Sequence, residues 1–334
     1  MKLSVNKRLD EIVKCYFPNS QKYRLIKELS NNEFLIRTEK GQFVAKEYAP
    51  TLSKDRLLFF EWLQNSTNAQ MGISPQVVKT RDGNLNVNIG GLNYDLTEFV
   101  ECKRFRRENV QNRSKFFYEI GSFVGKLHKT FSEIESAGQN IMRSQLYIPP
   151  ESPSHMIRLL KSYKKARIEE NWAEIVKVKI DIVNSYPNGL NQFNKLPKKI
   201  VHGDLYMKNI LFNKSQKVIG LIDFVQAGMF FRCYEVVRAL IQINRFFQNI
   251  DINPKHITSY MRGYLQYTYL DEDEVLNMLD FYIYVQASDT SFLDIKTILD
   301  GGRENNEYAK YRFNSLQLLY KNRHLLCKAI CNAK

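Results

Sequence analysis

Two short stretches of the chain hold polar residues that together could transfer a phosphoryl group. Residues 201–212 read Val-His-Gly-Asp-Leu-Tyr-Met-Lys-Asn-Ile-Leu-Phe, and residues 220–224 read Gly-Leu-Ile-Asp-Phe. Phosphoryl transfer from ATP needs a carboxylate that accepts a hydroxyl proton and oxygen ligands that hold magnesium. Asp204, Asn209 and Asp223 are residues of these types. The two stretches therefore predict a phosphoryl-transfer site that uses ATP and Mg2+.

Short apolar runs flank these polar residues and predict the strands that position them. Ile200-Val201, Ile210–Phe212 and Val218–Ile222 have the composition of short buried strands. Rigid sites are usually built at the ends of such elements. We therefore expect the first two polar residues on one short loop and the third at the end of the next strand.

The motif His-Gly-Asp-Leu-x-x-x-Asn-Ile-Leu, followed further along by Ile-Asp-Phe, resembles the aminoglycoside phosphotransferase family. That family includes choline and homoserine kinases and kinase-like spore-coat proteins, and it shares the protein-kinase fold. The matching protein-kinase motifs have Arg in place of Gly203 and Gly in place of Val225. Both departures favour the small-molecule branch of the fold. By the resemblance, Asp204 is the catalytic base, and Asn209 and Asp223 bind magnesium.

The segment Phe43-Val-Ala-Lys-Glu47 resembles the third strand of kinases, which reads Val-Ala-Ile-Lys. The resemblance makes Lys46 the ligand of the α- and β-phosphates of ATP. Its expected partner is a carboxylate on the following helix. Glu61 fits this role best because it lies within an apolar helical face. Asp55 is the alternative, although it lies in the first turn, where an acidic residue favours the helix dipole.

Two further segments are candidates for nucleotide contacts. Residues 29–33 read Leu-Ser-Asn-Asn-Glu where kinases have a glycine-rich loop over the phosphates. Ser30, Asn31 and Asn32 are the candidates there, because Ser and Asn tolerate turn geometry and form hydrogen bonds. Residues 96–100, which include Glu98 and Phe99, end the predicted N-terminal lobe and resemble the hinge that pairs with adenine. Such pairing uses backbone groups and needs no particular side chain.

The order of the predicted elements indicates an α+β fold. The predicted strands and helix of the N-terminal region are Tyr23–Leu29, Glu33–Thr38, Gln42–Tyr48, helix Ser53–Leu63, Gln76–Thr80, Leu85–Ile89 and Tyr94–Val100. Apolar residues at helical spacing dominate from residue 101 onward. The resemblance implies a bilobed protein-kinase-like fold. A β-rich ATP-binding lobe would cover residues 1–100, and a helical lobe with the catalytic loop, the metal site and the acceptor pocket would cover residues 101–334.

Several polar residues of the helical region have two possible interpretations. Candidates for the acceptor pocket at helical spacing are Tyr282, Gln286, Asp289 and Asp294, and for each one a place in the core or in solvent is the alternative. The acidic run Asp271–Glu274 could line an acidic pocket, but the favoured interpretation is that it forms the first turn of a helix, where acidic residues stabilise the helix dipole. His128 is interpreted as a packing or hydrogen-bonding residue. Lys208 could reach either the γ-phosphate or solvent.

Composition narrows the class of protein. The chain has 334 residues, 44% hydrophobic content and a formal net charge of +14. The densest basic run, Lys103–Arg107, comes without a zinc-finger or RNA-binding signature, so we expect a solvated basic surface and no nucleic-acid partner. No apolar run reaches about 18 residues, so we expect no membrane partner. The five scattered cysteines form no Cys-x-x-Cys pair and favour a reduced cytoplasm.

These observations predict an ATP- and Mg2+-dependent phosphotransferase that acts on a hydroxyl group of a small molecule. An amino alcohol, an amino acid, a sugar or an aminoglycoside would fit. The alternative is a catalytically silent kinase-like protein with a binding or structural role, of the spore-coat type. The joint presence of Lys46, Asp204, Asn209 and Asp223 favours the enzyme, because a protein without turnover has no chemical need for all four.

Overall fold

The structure is a computed structural model, and it describes residues 4–18, 23–102, 106–137, 153–166, 168–215, 217–247, 253–300 and 302–333. The chain forms two compact units. The first unit comprises the described residues within 1–105, 130–145 and 202–229. The second comprises those within 106–129, 146–201 and 230–334. The functional boundary between residues 100 and 101 stays a prediction.

An antiparallel sheet forms the centre of the first unit. Its strands are β1 (Arg24–Ser30), β2 (Glu33–Thr38), β3 (Gly41–Tyr48), β4 (Asn86–Ile89) and β5 (Leu92–Glu98), in the order β1-β2-β3-β5-β4. The register places Glu33 opposite Lys46 and Lys46 opposite Asp95. Directly opposite residues point to the same face of a sheet. The three ionisable side chains therefore share one face.

A helix that the sequence analysis did not predict covers part of this sheet. Helix α1 (Val5–Tyr16) buries Leu9, Ile12, Val13 and Tyr16, which follow the spacing i, i+3, i+4, i+7 of an amphipathic helix. These side chains join one apolar cluster with residues of the sheet such as Phe34, Ile36, Phe43 and Leu96. The hydrophobic core of the first unit therefore begins with the N-terminal helix.

The predicted helix after β3 is present but longer than expected. Helix α2 (Lys54–Met71) begins at the predicted cap, where the Ser53 side chain accepts a hydrogen bond from the Arg56 backbone N–H. It ends at Gly72, which has the left-handed conformation of a helix C-terminus (φ 64°). The strand predicted at 76–80 is reduced to a single bridge between Val77 and Thr97.

Short strands surround the two chemistry-bearing stretches; the first three were predicted and the fourth was not. They are β6 (Lys198–Val201), β7 (Ile210–Phe212), β8 (Val218–Leu221) and β9 (Gly228–Phe231). Strands β7 and β8 form an antiparallel pair in which Ile210 lies opposite Leu221. The backbone N–H of Leu221 also donates a hydrogen bond of 2.7 Å to the carbonyl of Ile73. Residues 202–209 thus form the loop before β7, and Asp223 follows β8.

Helices dominate the remainder of the chain. They are α3 (Arg113–Ala137), α4 (Pro153–Ala166), α5 (Glu170–Asn184), α6 (Arg232–Phe246), α7 (Pro254–Leu265), α8 (Glu272–Ser288), α9 (Ile295–Asp300) and α10 (Gly302–Cys331). Helix α8 packs against α5, α6 and α10. A Cβ atom on Gly121 would lie 2.0 Å from the carbonyl oxygen of Tyr260, so only glycine allows α3 and α7 to approach this closely. None of the described helices is long and apolar enough to cross a membrane.

Two ambiguous features of the sequence have structural roles in the second unit. The side chain of Asp271 accepts a hydrogen bond from the backbone N–H of Glu274, and Glu274 accepts one from Asp271 in return. This capping box makes the acidic run the start of α8, as favoured. His128 is buried and lies 2.9 Å from a carboxylate oxygen of Glu235 and 3.0 Å from the Tyr264 hydroxyl. It therefore has the expected hydrogen-bonding role.

Candidate active site

The loop before β7 is held in place by His202. The backbone N–H of Asp204 donates to Nδ1 of this buried histidine at 3.3 Å, and Nε2 lies 3.1 Å from the carbonyl oxygen of Ile222. Because Nδ1 accepts a hydrogen bond, the proton of the neutral ring lies on Nε2. The ring also packs edge-on against Phe224, with 4.8 Å between the ring centroids. His202 therefore connects the loop to the segment that carries Asp223.

Gly203 has a conformational reason to differ from the arginine of protein kinases. Its φ angle is +80°, in the left-handed region that favours glycine. A Cβ atom at this position would lie 2.1 Å from the carbonyl oxygen of Gln226. Any side chain at this position would displace the backbone on one side of the loop. The departure from the protein-kinase motif is thus required by the local packing.

Asp204 and Asn209 contact each other across the loop. The Nδ2 amide of Asn209 donates to the backbone carbonyl of Asp204 at 3.0 Å and to its Oδ2 at 3.1 Å. The backbone carbonyl of Asn209 accepts a hydrogen bond of 3.0 Å from the backbone N–H of Ile222. Since the amide nitrogen faces Asp204, the Oδ1 oxygen of Asn209 faces away from that carboxylate. The side-chain amide of Asn209 therefore fixes the orientation of the Asp204 carboxylate and of its own side chain.

Asp223 has an unusual backbone conformation. Among the described residues other than glycine, it alone has a positive φ angle (φ 67°, ψ 65°). Such a conformation costs about 1–3 kcal/mol and is retained mainly at functional sites, although Asp tolerates it better than most residues. Its Oδ1 accepts a hydrogen bond of 2.9 Å from Nζ of Lys46. The strained backbone thus places this carboxylate beside the lysine of β3.

Lys46 lies between two carboxylates. Its Nζ is 2.9 Å from Oδ1 of Asp223 and 3.1 Å from Oε1 of Glu33. Burial alone would lower the pKa of Lys46, but the two carboxylates outweigh this effect and raise the pKa above its ordinary value. Lys46 is therefore a cation, and the three side chains together carry one net negative charge.

The predicted ion pair between Lys46 and Glu61 is not formed. Glu61 is fully buried on α2, and its Oε2 accepts a hydrogen bond of 3.0 Å from the side-chain amide of Asn86. Burial and the nearby Asp95 carboxylate raise the pKa of Glu61 to about 8. Lys46 instead contacts the residue directly opposite it on β2. Pairing across the sheet, which the sequence analysis did not consider, decides the partner.

Asp95 is a second buried carboxyl group on the face that carries Lys46. The Tyr48 hydroxyl donates a hydrogen bond of 2.5 Å to its Oδ2. Burial raises the pKa of Asp95 to about 6, although Tyr48 and Lys46 act in the opposite direction. Its Oδ1 is buried and has no hydrogen-bond partner among the described residues. The sequence analysis missed Asp95 because the sequence does not show which residue of β5 lies opposite Lys46 on β3.

A cavity of about 240 Å³, open to solvent, contains this group of charges. All of its lining residues belong to the first unit. Its apolar wall includes Leu29, Val44, Phe99, Leu211 and Ile222, and its polar wall includes Glu33, Lys46, Asp95 and Asp223. An apolar wall suits a planar base, and a wall with a cation and carboxylates suits phosphates with a metal ion. The cavity thus has the chemistry of a nucleotide pocket.

The hinge candidates Glu98 and Phe99 line the cavity, but both of their backbone N–H groups already donate hydrogen bonds within the protein. The backbone N–H of Glu98 donates to the carbonyl of Gln76, and that of Phe99 donates to the carbonyl of Gln42, each at 3.0 Å. The next backbone N–H belongs to Val100, which lines the cavity and has no backbone partner in the part of the chain described. A base in this cavity would therefore find its backbone donor at Val100.

The turn between β1 and β2 contributes a different residue from those predicted. Ser30 and Asn31 are exposed and do not line the cavity, and the Ser30 hydroxyl donates to Oδ1 of Asn32 at 2.8 Å. Asn32 in turn donates through its side chain to the carbonyl of Glu47. Glu33, the residue after the turn, does line the cavity. The turn therefore brings a carboxylate to the polar wall.

The donor set of the site fits magnesium when completed by a nucleotide. Among the described residues, no group of three or more His, Cys, Asp or Glu side chains could hold a metal ion by itself. Asp223 offers a carboxylate, and Asn209 offers the amide oxygen that faces away from Asp204. Mg2+ usually takes one or two protein oxygens and completes its shell with phosphates and water. These two residues would hold such an ion.

The acceptor-pocket candidates of the second unit separate into two groups. Arg312 donates hydrogen bonds of 2.7 Å both to Oε1 of Gln286 and to Oδ2 of Asp289, and Tyr282 is buried nearby. Asp294 instead accepts a hydrogen bond of 2.9 Å from the backbone N–H of Thr297 at the start of α9. Arg312 was missed because the sequence separation hides its partners. The candidates thus include one cluster and one helix cap.

Two basic candidates add little to the site. Lys208, the possible γ-phosphate contact, is exposed on the loop. Of the basic run at 103–107, residues 103–105 lie outside the described residues, and Arg107 pairs with its neighbour Glu108 at 3.0 Å. Among the described residues that line the cavity, the cation is therefore Lys46.

Comparison with known proteins gives a consistent result. The chain is 24% identical over 232 residues to a homoserine kinase of Bartonella henselae, and the match covers 65% of this chain and 62% of that relative. The chain thus spans about three fifths of the length of the curated relatives it matches. An amicoumacin kinase in complex with AMP-PNP and Ca2+ superposes with a TM-score of 0.65 at 15% identity, covering 94% of both chains. A microcompartment-associated aminopropanol kinase gives a TM-score of 0.56 at 15% identity, over 96% of this chain and 98% of the other.

These similarities, together with the geometry, decide the fold and the family. The structural neighbours have the protein-kinase-like fold, so the α+β class and that fold are confirmed. The model of the phosphotransferase enzyme family (APH) matches residues 22–274, which include the β-sheet, the catalytic-loop candidate and Asp223. The chain therefore belongs to the phosphotransferase enzyme family.

Proposed function

We propose that this protein is an ATP- and Mg2+-dependent phosphotransferase that phosphorylates a hydroxyl group of a small molecule. The observation that carries the proposal is the polar wall of the cavity, where Lys46 contacts Asp223 and Glu33. The loop with Asp204 and Asn209 belongs to the same compact unit. Family membership and the kinase neighbours support the same reaction class.

Each residue of the site has a distinct role in this reaction. Lys46 binds the α- and β-phosphates as a cation, which its carboxylate neighbours keep protonated. Asp204 accepts the proton of the acceptor hydroxyl, and the Asn209 amide holds the Asp204 carboxylate in orientation. The backbone of Val100 binds the base. Such a site accelerates the reaction by positioning and electrostatics rather than by a covalent intermediate.

A divalent cation is needed for the charge balance. Lys46, Glu33 and Asp223 carry one net negative charge, so the nucleotide polyanion would meet repulsion at the polar wall. Asp223 and Asn209 would hold Mg2+, which would supply positive charge to neutralise the phosphates and the charge that develops in the reaction. Nucleotide binding is therefore strongly dependent on the metal.

The acceptor class is an amino alcohol, an amino acid, a sugar or an aminoglycoside. Homoserine is the first to test, since curated relatives at about a quarter identity are homoserine kinases. We expect no peptide acceptor, because only residues 224–231 separate Asp223 from helix α6, too few for a long activation segment. All five cysteines are free thiols, in keeping with the proposed cytoplasmic location.

A substrate panel read by ADP production tests the proposal. Homoserine, choline, ethanolamine, aminopropanol, simple sugars and aminoglycosides are each incubated with ATP and Mg2+, and Asp204→Asn serves as the inactive control. We expect acceptor-dependent ADP release with one class and none with a generic protein substrate. Mg2+-dependent AMP-PNP binding without turnover on the panel would instead support the catalytically silent alternative. Micromolar, salt-sensitive binding to oligonucleotides would contradict the assignment of a small-molecule acceptor.

A further inference from the structure

Glu33 is the carboxylate best placed to hold Lys46 during catalysis. Two carboxylates contact Lys46, and one of them, Asp223, is also the proposed ligand of the metal ion. When Asp223 coordinates the metal ion, its charge no longer balances that of Lys46. Glu33 is then the other described carboxylate within ion-pair distance of Lys46, and it is left to hold the lysine.

The backbone of Glu33 is fixed on both sides by the sheet. Glu33 lies opposite Ser30 on β1 and directly opposite Lys46 on β3. The turn that precedes it is anchored by Asn32, whose carbonyl accepts a hydrogen bond of 2.8 Å from the N–H of Glu47 and whose amide donates one of 3.0 Å to the carbonyl of the same residue. The side chain of Glu33 needs no helix movement to reach the lysine.

The helix carboxylate cannot take this role in its present state. Glu61 is fully buried, and its Oε2 is bonded to Asn86. Its pKa of about 8, raised by burial and by Asp95, means that the group is largely protonated at neutral pH. A neutral carboxylic acid supplies no counter-charge to a lysine.

We infer that Glu33 is the positioning residue of Lys46, in the role that protein kinases give to a carboxylate on the following helix. The inference rests on the proposed function, because it takes Lys46 as the phosphate ligand. It also gives the turn without glycine a purpose. The ion pair ties the turn between β1 and β2 to the phosphate-binding lysine, where kinases use a flexible glycine-rich loop.

The pairing itself is tested without any acceptor. In a crystal structure of the protein with Mg2+ and AMP-PNP, Nζ of Lys46 should stay within ion-pair distance of the Glu33 carboxylate, as it is here at 3.1 Å. A contact of Lys46 with Glu61 in place of Glu33 would overturn the inference. Glu28 is an exposed residue of the neighbouring strand β1, so Glu28→Gln is the control variant for the kinetic assays.

Turnover tests the positioning role. With the acceptor found in the panel, Glu33→Gln should lower kcat about tenfold, the amount typical of a lost hydrogen bond to a charged partner. The KM for ATP should change less than about threefold, because the variant also removes a negative charge near the phosphates. Glu33→Asp should recover most of kcat, and the melting temperature should not change. Glu28→Gln should behave as the wild type in every assay.

The outcomes separate this inference from the proposed function. Lys46→Met with unchanged ATP kinetics would overturn the assignment of Lys46 and with it the proposed nucleotide site. If Lys46→Met is impaired while Glu33→Gln matches Glu28→Gln, only the role of Glu33 is wrong. Impairment by Glu61→Gln together with normal kinetics in Glu33→Gln would return the role to the helix carboxylate.

Discussion

Two lysines, one in each compact unit, show opposite effects of burial. Lys46 of the first unit contacts two carboxylates, and its pKa is raised. Lys179 of the second unit is buried on α5 and donates a hydrogen bond of 2.6 Å to the backbone carbonyl of Gln286. Burial and the nearby Arg312 lower the pKa of Lys179 to about 7, although Asp289 opposes them. Both amines are largely removed from water, yet only Lys46 stays firmly charged.

The difference lies in which carboxylates are already engaged. Asp289 accepts a hydrogen bond from Arg312 at 2.7 Å, so its charge is already balanced by a stronger base. Glu33 and Asp223 have no arginine within ion-pair distance among the described residues, so their charge acts on Lys46. If Lys46 binds phosphates as proposed, two carboxylates serve it well, because Glu33 can keep the lysine in place while Asp223 coordinates the metal ion. We therefore expect catalysis to depend on Lys46 and its two carboxylates. We expect the lowered pKa of Lys179 to appear as a pH dependence of stability.

The largest effect is expected from Asp204, the proposed base in the first unit. Asp204→Asn should lower turnover roughly a hundredfold or more, as the loss of a positioned general base does. Nucleotide binding should stay nearly intact, because the polar wall keeps Lys46 and Asp223. Steady-state kinetics and AMP-PNP calorimetry measure the two quantities. Asp82→Asn, an exposed change in the same unit, is the control, and near-normal turnover in Asp204→Asn would remove the base assignment.

The next effect separates the two metal-ligand candidates. Asp223→Ala should reduce the Mg2+-dependent gain in AMP-PNP affinity by about tenfold or more, and Asn209→Ala should reduce it less, because a carboxylate binds the ion more strongly than an amide oxygen. Asp223→Ala should also improve metal-free binding, since Lys46 and Glu33 then balance each other. Calorimetry with and without Mg2+ measures both effects. Identical titrations for the two variants would contradict the ranking.

A third effect sharpens the comparison in the second unit. The pKa of Lys179 is about 7 in the folded protein and 10.5 when exposed, so the unfolded chain binds more protons between these values. The free energy of unfolding of the wild type should therefore rise with pH across this window, by at most about 1.4 kcal/mol per pH unit. Lys179→Met should stabilise the protein at pH 6 and much less at pH 9. Urea unfolding at both values, with Lys177→Met as the exposed control on α5, measures this, and equal effects at both values would contradict it.

The smallest effect has the opposite sign and belongs to the first unit. The pKa of Glu61 is about 8 in the folded protein and 4.5 when exposed, so the folded chain binds more protons between these values. Wild-type stability should fall as pH rises through this window. Glu61→Gln should thus be about neutral at pH 5 and stabilising near pH 8, because the amide stays uncharged and keeps a partner in Asn86. Urea unfolding measures it against Glu39→Gln, and a flat difference would mean that Glu61 is ionised.

Much of the fold followed from local patterns. The strands at 24–48 and 198–221 lie within a few residues of their predicted bounds, because alternation and turn residues act over short distances. Helix α1 was overlooked although its spacing of Leu9, Ile12, Val13 and Tyr16 was available. Helix α2 was predicted too short, because polar residues after Leu63 hid its last turns. The prediction of a strand at 76–80 was wrong, because strand formation depends on a pairing partner that the local sequence does not specify.

The sequence by itself determined the chemistry-bearing loop and the family. Asp204 and Asn209 are five residues apart on one loop, so their contact follows from local geometry, and the motif that holds them identifies the phosphotransferase family. Only the tertiary structure decided what surrounds Lys46. Asp223 is 177 residues away, and whether Glu33 or Glu61 is ionised beside the lysine depends on sheet register and burial. Charge state is set by desolvation and by neighbours in space, and neither can be read from the order of residues along the chain.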